Sequence, residues 1–218
     1  MTVKLDGPRL PPASGTARQL VVLLHGYGAD GNDLLSLGQS WQQALPDAAF
    51  ASPNAPLPVP GASGYQWFPL RTLDNNDVTP GAASAAPGLD AFIDAELAAQ
   101  GVAPENLVLI GFSQGAMMAL YVGLRRKVAP AAIIAYSGQL PGRIPQPAPA
   151  GHYPPVFISH GDSDNVVPPQ LMFVAIGAMQ QADVTVEWHL ARGVGHGIDP
   201  ESLELGGQFL LKALAGKP

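Results

Sequence analysis

Cysteine is absent from the 218-residue chain. That absence excludes disulfides, thiolate metal sites and a thiol nucleophile. Charge is scarce too, with charged residues making up only 13%. Lys+Arg is 11 and Asp+Glu is 17, which leaves a formal charge of −6. The one basic cluster, Arg125-Arg126-Lys127, sits where the last turn of a helix is expected, and there cations complement the helix dipole. An acidic chain of this kind is unsuited to nucleic acid or an anionic membrane. No apolar run is long enough to span a bilayer, so no stable membrane insertion is expected. The segment Met1–Pro8 lacks the apolar stretch of a signal peptide, and the expected setting is the cytoplasm.

What is present is apolar residue, at 47%, enough to build one large core. Short apolar runs alternate with helical patterns. Strands are expected at Leu20–Leu24, Ala48–Ala51, Leu107–Ile110, Ala131–Ala135, Val156–Ile158 and Val184–Trp188. Most of these runs are continuously apolar, as in a parallel sheet covered on both faces. Helices are expected over Gly88–Gln100, Ser113–Lys127, Pro168–Gln181 and Pro200–Ala215. Asp199 before Pro200 reads as an N-cap with proline in the first helical position, and Gly101 closes the helix ending at Gln100. Residues Val3–Leu10 are a candidate antiparallel edge strand. The Pro- and Gly-rich stretches Pro53–Gly81 and Gly138–Pro155 read as long loops, either stiff surface connections or walls of a binding cleft. The alternation implies βαβ units with right-handed crossovers. No composition break marks a second domain, so residues 1–218 are expected to form one α/β domain without a large lid.

Within this pattern, Gly111-Phe-Ser-Gln-Gly115 follows a strand and opens a helix. A G-x-S-x-G in that context places a serine on a tight, strained turn with its hydroxyl exposed at a helix start. Backbone N–H groups there favour a developing negative charge. Serine is a weak nucleophile and needs a base, itself oriented by an acid. Of the five histidines, His25 precedes a glycine turn, His152 lies in a proline-rich loop, and His160 and His189 lie in strands. His196, in Gly193-Val-Gly-His-Gly197, is on a glycine-flanked loop before the last helix. It follows Ser113 in the order nucleophile, acid, base. The acid belongs after the strand Val156–His160, where both Asp162 and Asp164 qualify on spacing. One oxyanion donor is the amide of Gln114, the residue after the serine. The second is expected from the His25-Gly-Tyr-Gly28 turn, at Tyr27.

That turn also spells G-x-G-x-x-G over Gly26–Gly31, the dinucleotide fingerprint. The next strand ends in Ser52-Pro53-Asn54 and offers no acidic residue for a ribose, so the nicotinamide alternative is weak.

Leu23–Gly31, Ser52-Pro-Asn-Ala-Pro56, Gly111–Ala116, His160-Gly-Asp-Ser-Asp-Asn-Val-Val-Pro168 and Gly195-His-Gly197 occur in an order that resembles the phospholipase/carboxylesterase family of α/β-hydrolases, which includes the acyl-protein thioesterases. The resemblance covers nearly the whole chain. It implies an α/β-hydrolase fold, a mostly parallel twisted sheet with helices on both faces. It also implies a triad of Ser113, Asp164 and His196, and so chooses Asp164 over Asp162, with oxyanion donors at Tyr27 and Gln114. Gln66-Trp-Phe-Pro69 matches an aromatic motif near the acyl site, which makes Trp67 and Phe68 candidates for cleft walls or for core. Gly115-Ala116 stands where many relatives have Gly-Gly, a small change for the turn. Asp30 and Asp33 are read as cap and loop-fixing residues, and Met117 and Met118 as core. The expected activity is cleavage of carboxylic esters, with carboxylesterase, lysophospholipase and acyl-protein thioesterase variants open. Acyl transfer, peptide cleavage and a non-catalytic binding role are the alternatives. No metal or organic cofactor is implied. The expected partner is a small-molecule ester or lipid-like acyl substrate, and a monomer and a homodimer are both left open.

Overall fold

A computed structural model describes residues 4–215. Its centre is a seven-stranded sheet. The strands are β1 (Arg9–Leu10), β2 (Gln19–Leu24), β3 (Ala48–Ala51), β6 (Leu107–Phe112), β7 (Ala132–Tyr136), β8 (Val156–Gly161) and β9 (Val186–Ala191). They lie in the order β1-β3-β2-β6-β7-β8-β9, and all pairings but β1 with β3 are parallel. A two-stranded hairpin, β4 (Leu57–Pro58) and β5 (Tyr65–Gln66), stands apart from it. The helices are α1 (Leu35–Trp41), α2 (Asn75–Gln100), α3 (Gln114–Gly123), α4 (Gln170–Gln181) and α5 (Pro200–Leu214).

Successive side chains of a strand point to opposite faces, and here both faces are apolar. Leu20, Val22 and Leu24 pack with residues of α2, α3 and α4, as do Leu107 and Leu109. Val21, Leu23, Val108 and Ile110 pack on the other face with Trp41 of α1 and Phe209 and Leu210 of α5. One chain thus builds two cores with the sheet between them. The architecture is the expected α/β-hydrolase fold, with helices on both faces.

Several boundaries differ from the sequence expectation. The last strand runs over Val186–Ala191 and not Val184–Trp188. Val184 donates its amide to the Met179 carbonyl (2.9 Å), closing α4 before the strand starts. The helix expected at Gly88 begins at Asn75, with Pro80 and Pro87 inside it and Asp74 capping the Asn76 amide. Helix α3 excludes Ser113 and ends at Gly123, whose added Cβ would lie 2.5 Å from Ile133. Arg125–Lys127 therefore lie beyond its last turn. Arg126 instead pairs with Asp90 (2.7 Å) and Asp94 (2.5 Å) of α2, and Arg125 stacks on Tyr121. At the amino end only Arg9–Leu10 forms the antiparallel edge, and Val3 lies outside the described residues. The Asp199 cap, Pro200 in the first turn and left-handed Gly101 after Gln100 are all present. Helix α1 is capped by no side chain, so Asp33 does not serve as its cap. Asp30 fixes the loop by accepting the Asn32 amide at 2.8 Å.

Candidate active site

The site lies at the carboxyl ends of the parallel strands, where loops from β2, β6, β8 and β9 converge. Ser113 follows β6 with φ 54° and ψ −118°, outside the helical region. Its amide donates to the Tyr136 carbonyl of β7 at 2.9 Å, which anchors the turn on the next strand. The flanking glycines are required by space. A Cβ on Gly115 would lie 1.9 Å from the Leu24 carbonyl oxygen, and one on Gly111 would lie 2.2 Å from the Gly115 oxygen. Both clashes are with backbone, so neither position can yield.

His196 comes from the loop between β9 and α5. Its Nε2 lies 3.0 Å from Ser113 Oγ, and its Nδ1 lies 2.7 Å from Asp164 Oδ2. The Phe112 ring, 4.9 Å from the imidazole between centroids, backs it. Asp164 is buried. Its Oδ1 accepts the amides of Val166 and Val167, each at 2.9 Å. Burial pushes its pKa up, but the bonds from His196, Val167 and Val166 outweigh that and hold it below the ordinary carboxylate value. Asp162, the other candidate on spacing, is exposed and accepts the Gly193 amide (2.8 Å), tying the acid loop to the histidine loop.

Two contacts went unforeseen in the sequence. His160 Nε2 donates to the Val167 carbonyl (2.8 Å) and also faces Asp164 Oδ2 at 3.2 Å. Burial lowers its pKa. It therefore meets the carboxylate as a neutral donor and not as a cation. The second is the Gln114 side chain, which is fully buried. Its Oε1 accepts the Trp67 amide and its Nε2 donates to the Phe68 carbonyl, both at 2.8 Å. Trp67 Nε1 in turn donates to the His25 carbonyl (3.0 Å), and His25 Nε2 accepts the Ala55 amide (2.9 Å). The elbow, the β2 loop and the proline-rich loop are thereby braced together. Replacing Gln114 by methionine is expected to destabilise the fold by about 1–3 kcal/mol for each buried backbone group left unpaired, read by chemical denaturation.

Trp67 and Phe68 are 1% and 0% exposed and belong to the core, not to the cleft wall. Their rings fill space beneath the loop. The groove that holds Ser113 and His196 has a volume of about 310 Å³ and is lined by Tyr27, Leu70, Arg71, Thr72, Leu73, Val166 and Val167. A larger cavity of about 520 Å³, between the amino-terminal segment and α2, contains none of the three aligned residues. Tyr27 is half-exposed at the groove. Among the described residues, neither the Tyr27 nor the Gln114 amide donates to a backbone carbonyl outside the regular elements. The Tyr27 loop is held by the hairpin, with the Gly28 amide donating to the Tyr65 carbonyl and the Tyr65 amide to that of Ala29, both 2.8 Å.

One group among the described residues, His189, Asp199 and Glu201, has ligand atoms within 4.8 Å of one another. Asp199 already caps α5 there, and the positive end of the helix dipole disfavours a cation.

Comparison with known proteins decides the family. The model for the phospholipase/carboxylesterase family matches residues 6–214. The chain belongs to the phospholipase/carboxylesterase family. This carboxylesterase-family chain is 44% identical to esterase PE8, whose crystal structure superposes with a TM-score of 0.90 over 97% of this chain and 100% of that one. It is 30% identical to acyl-protein thioesterase 1 of Saccharomyces cerevisiae, over 97% of this chain and 100% of the yeast protein. A probable carboxylesterase of Oryza sativa subsp. japonica is 31% identical over 93% of this chain and 80% of its own length. As a member of this family the protein is a serine hydrolase that cleaves esters. No described helix is long and apolar enough to cross a membrane.

Proposed function

We propose that Ser113, His196 and Asp164 form the catalytic triad of a carboxylesterase acting on small acyl esters, within a single domain spanning residues 1–218. The observation that carries this reading is the unbroken line of polar atoms from Ser113 Oγ through both imidazole nitrogens to Asp164 Oδ2, at 3.0 and 2.7 Å. Ser113 attacks the acyl carbonyl while His196 Nε2 takes its proton. Asp164 holds the Nδ1–H tautomer and stabilises the imidazolium without becoming protonated. The amides of Tyr27 and Gln114 receive the oxyanion. His196 then protonates the departing alkoxide or thiolate. A water molecule, deprotonated by the same imidazole, releases the acid from the acyl-enzyme.

The groove supports a small substrate. At about 310 Å³ it lies at the low end of ligand-pocket volumes, and its walls are mostly apolar. Short acyl chains fit this description better than long ones. The test is a series of oxygen esters and thioesters of increasing acyl length, assayed on wild type and on His196→Ala. The expected result is a maximum of kcat/KM at short acyl length that disappears in the variant. A maximum at long chains would refute the size argument, and a variant with wild-type rates would refute the triad.

A further inference from the structure

We propose that Arg71 is a specificity-determining residue that favours esters carrying a carboxylate or phosphate a few bonds from the scissile carbonyl. The inference rests on the triad assignment, because Arg71 lines the groove where Ser113 and His196 open. Apart from His196, Arg71 is the one side chain lining that groove able to bear a positive charge. The remaining walls are apolar or neutral.

The arginine is free to meet an anion. Several other basic side chains are engaged, and none of these lines the groove: Arg9 with Glu96, Arg18 with Asp47, Arg126 with two aspartates, Lys212 with Glu187. Arg125 lies over the Tyr121 ring. Among the described residues Arg71 has no ion pair or hydrogen bond. The carboxylates that follow it in sequence are occupied. Asp74 accepts the Asn76 amide at 2.7 Å, and Asp77 accepts the Thr72 amide at 3.0 Å and its hydroxyl at 3.3 Å. These bonds also fix the backbone just after Arg71, so its side chain swings from a held base. A guanidinium offers a planar fork of donors that matches carboxylate and phosphate oxygens.

The rest of the chain works against an anion, since its formal charge is −6. Any preference for one must therefore arise locally. Arg71 is exposed. Water and salt screen it, and its effect is expected to be on the order of fivefold at low ionic strength.

The experiment compares kcat/KM for two charged–neutral pairs. Monoethyl glutarate against ethyl glutaramate puts the charge on the acyl arm. Butyrylated glycerol phosphate against monobutyrin puts it on the leaving group. Wild type, Arg71→Lys, Arg71→Gln and Arg71→Glu are assayed with both pairs. The readout is the charged-to-neutral ratio, in which a general loss from the substitution cancels. On at least one arm the ratio is expected to fall about fivefold in Arg71→Gln, to fall further in Arg71→Glu and to survive in part in Arg71→Lys. It should also shrink towards the glutamine value as salt rises from about 0.01 to 1 M. The arm that responds identifies which side of the ester faces the arginine. Ratios unchanged across the four proteins on both arms would overturn the proposal. Failure of the triad reading would look different: Ser113→Ala would then keep its rate on the neutral esters.

Discussion

Replacing Ser113 by alanine is expected to lower kcat for a small ester by about 10⁴-fold or more, with the protein still folded. The two halves of that statement have separate grounds. The hydroxyl is the only atom removed, and its partner is His196 Nε2 at 3.0 Å. The elbow itself is held by the Ser113 amide on Tyr136 and by the close approach of Gly111 and Gly115, none of which involves the hydroxyl. Alanine keeps the same Cβ and so bears the same strain at φ 54°. Thermal melting of the variant should match wild type within a few degrees. A fluorophosphonate probe should label wild type and leave the variant unlabelled. A folded variant that retains a tenth of the wild-type rate would end the nucleophile assignment.

Asp164→Asn should cost nearly as much, roughly 10⁴-fold in kcat, through the tautomer of His196. Every contact of this carboxylate is with a donor. Oδ1 accepts two backbone amides, and Oδ2 faces His196 Nδ1 and His160 Nε2. An asparagine must aim its NH₂ group at one of these sets. Aimed at the imidazole, it forces the proton from Nδ1 to Nε2, and Nε2 can no longer take one from Ser113. Aimed at the amides, it disrupts the turn that holds the acid. The substitution also changes acid stability. The carboxylate's folded pKa lies below its ordinary 3.8, so its contribution is present above that value. It is lost as pH falls through the lower folded value. Asparagine has no such dependence. Melting curves taken across and below pH 3.8 should therefore fall less steeply with acid in the variant than in wild type. Equal slopes would mean that the carboxylate is not held ionised by its neighbours.

Much of this site was legible in the sequence because it is local. G-x-S-x-G between a strand and a helix needs two glycines for a reason of space, and the space is indeed closed by the Leu24 and Gly115 carbonyls. Strand runs were legible because both sheet faces are buried, which makes β2 and β6 continuously apolar. Choosing between Asp162 and Asp164 was not a matter of spacing. It depends on which carboxylate turns inward, and that is set by the Val166 and Val167 amides. Helix α2 extends well before the expected Gly88 although Pro80 and Pro87 lie within it, because packing of Val78, Ala82 and Ala85 in the core overrides the prolines. Trp67 and Phe68 gave no hint of their side. An aromatic pair in a proline-rich loop serves a cleft or a core equally well, and what holds it inward is the Gln114 side-chain carboxamide, whose oxygen accepts the Trp67 amide from forty-seven residues away. Arg71 carries no motif at all, and only the convergence of loops places it in the groove that holds the serine.

Just past Tyr27, the loop is held at Gly28 and Ala29 by a hairpin whose strands are two residues each and which stands apart from the seven-stranded sheet. So small a ribbon is the kind of element that opens at lower cost than the central strands. Warming should loosen this support while the sheet is intact. Turnover would then peak and decline at temperatures where circular dichroism still reports a native molecule, and cooling would restore it.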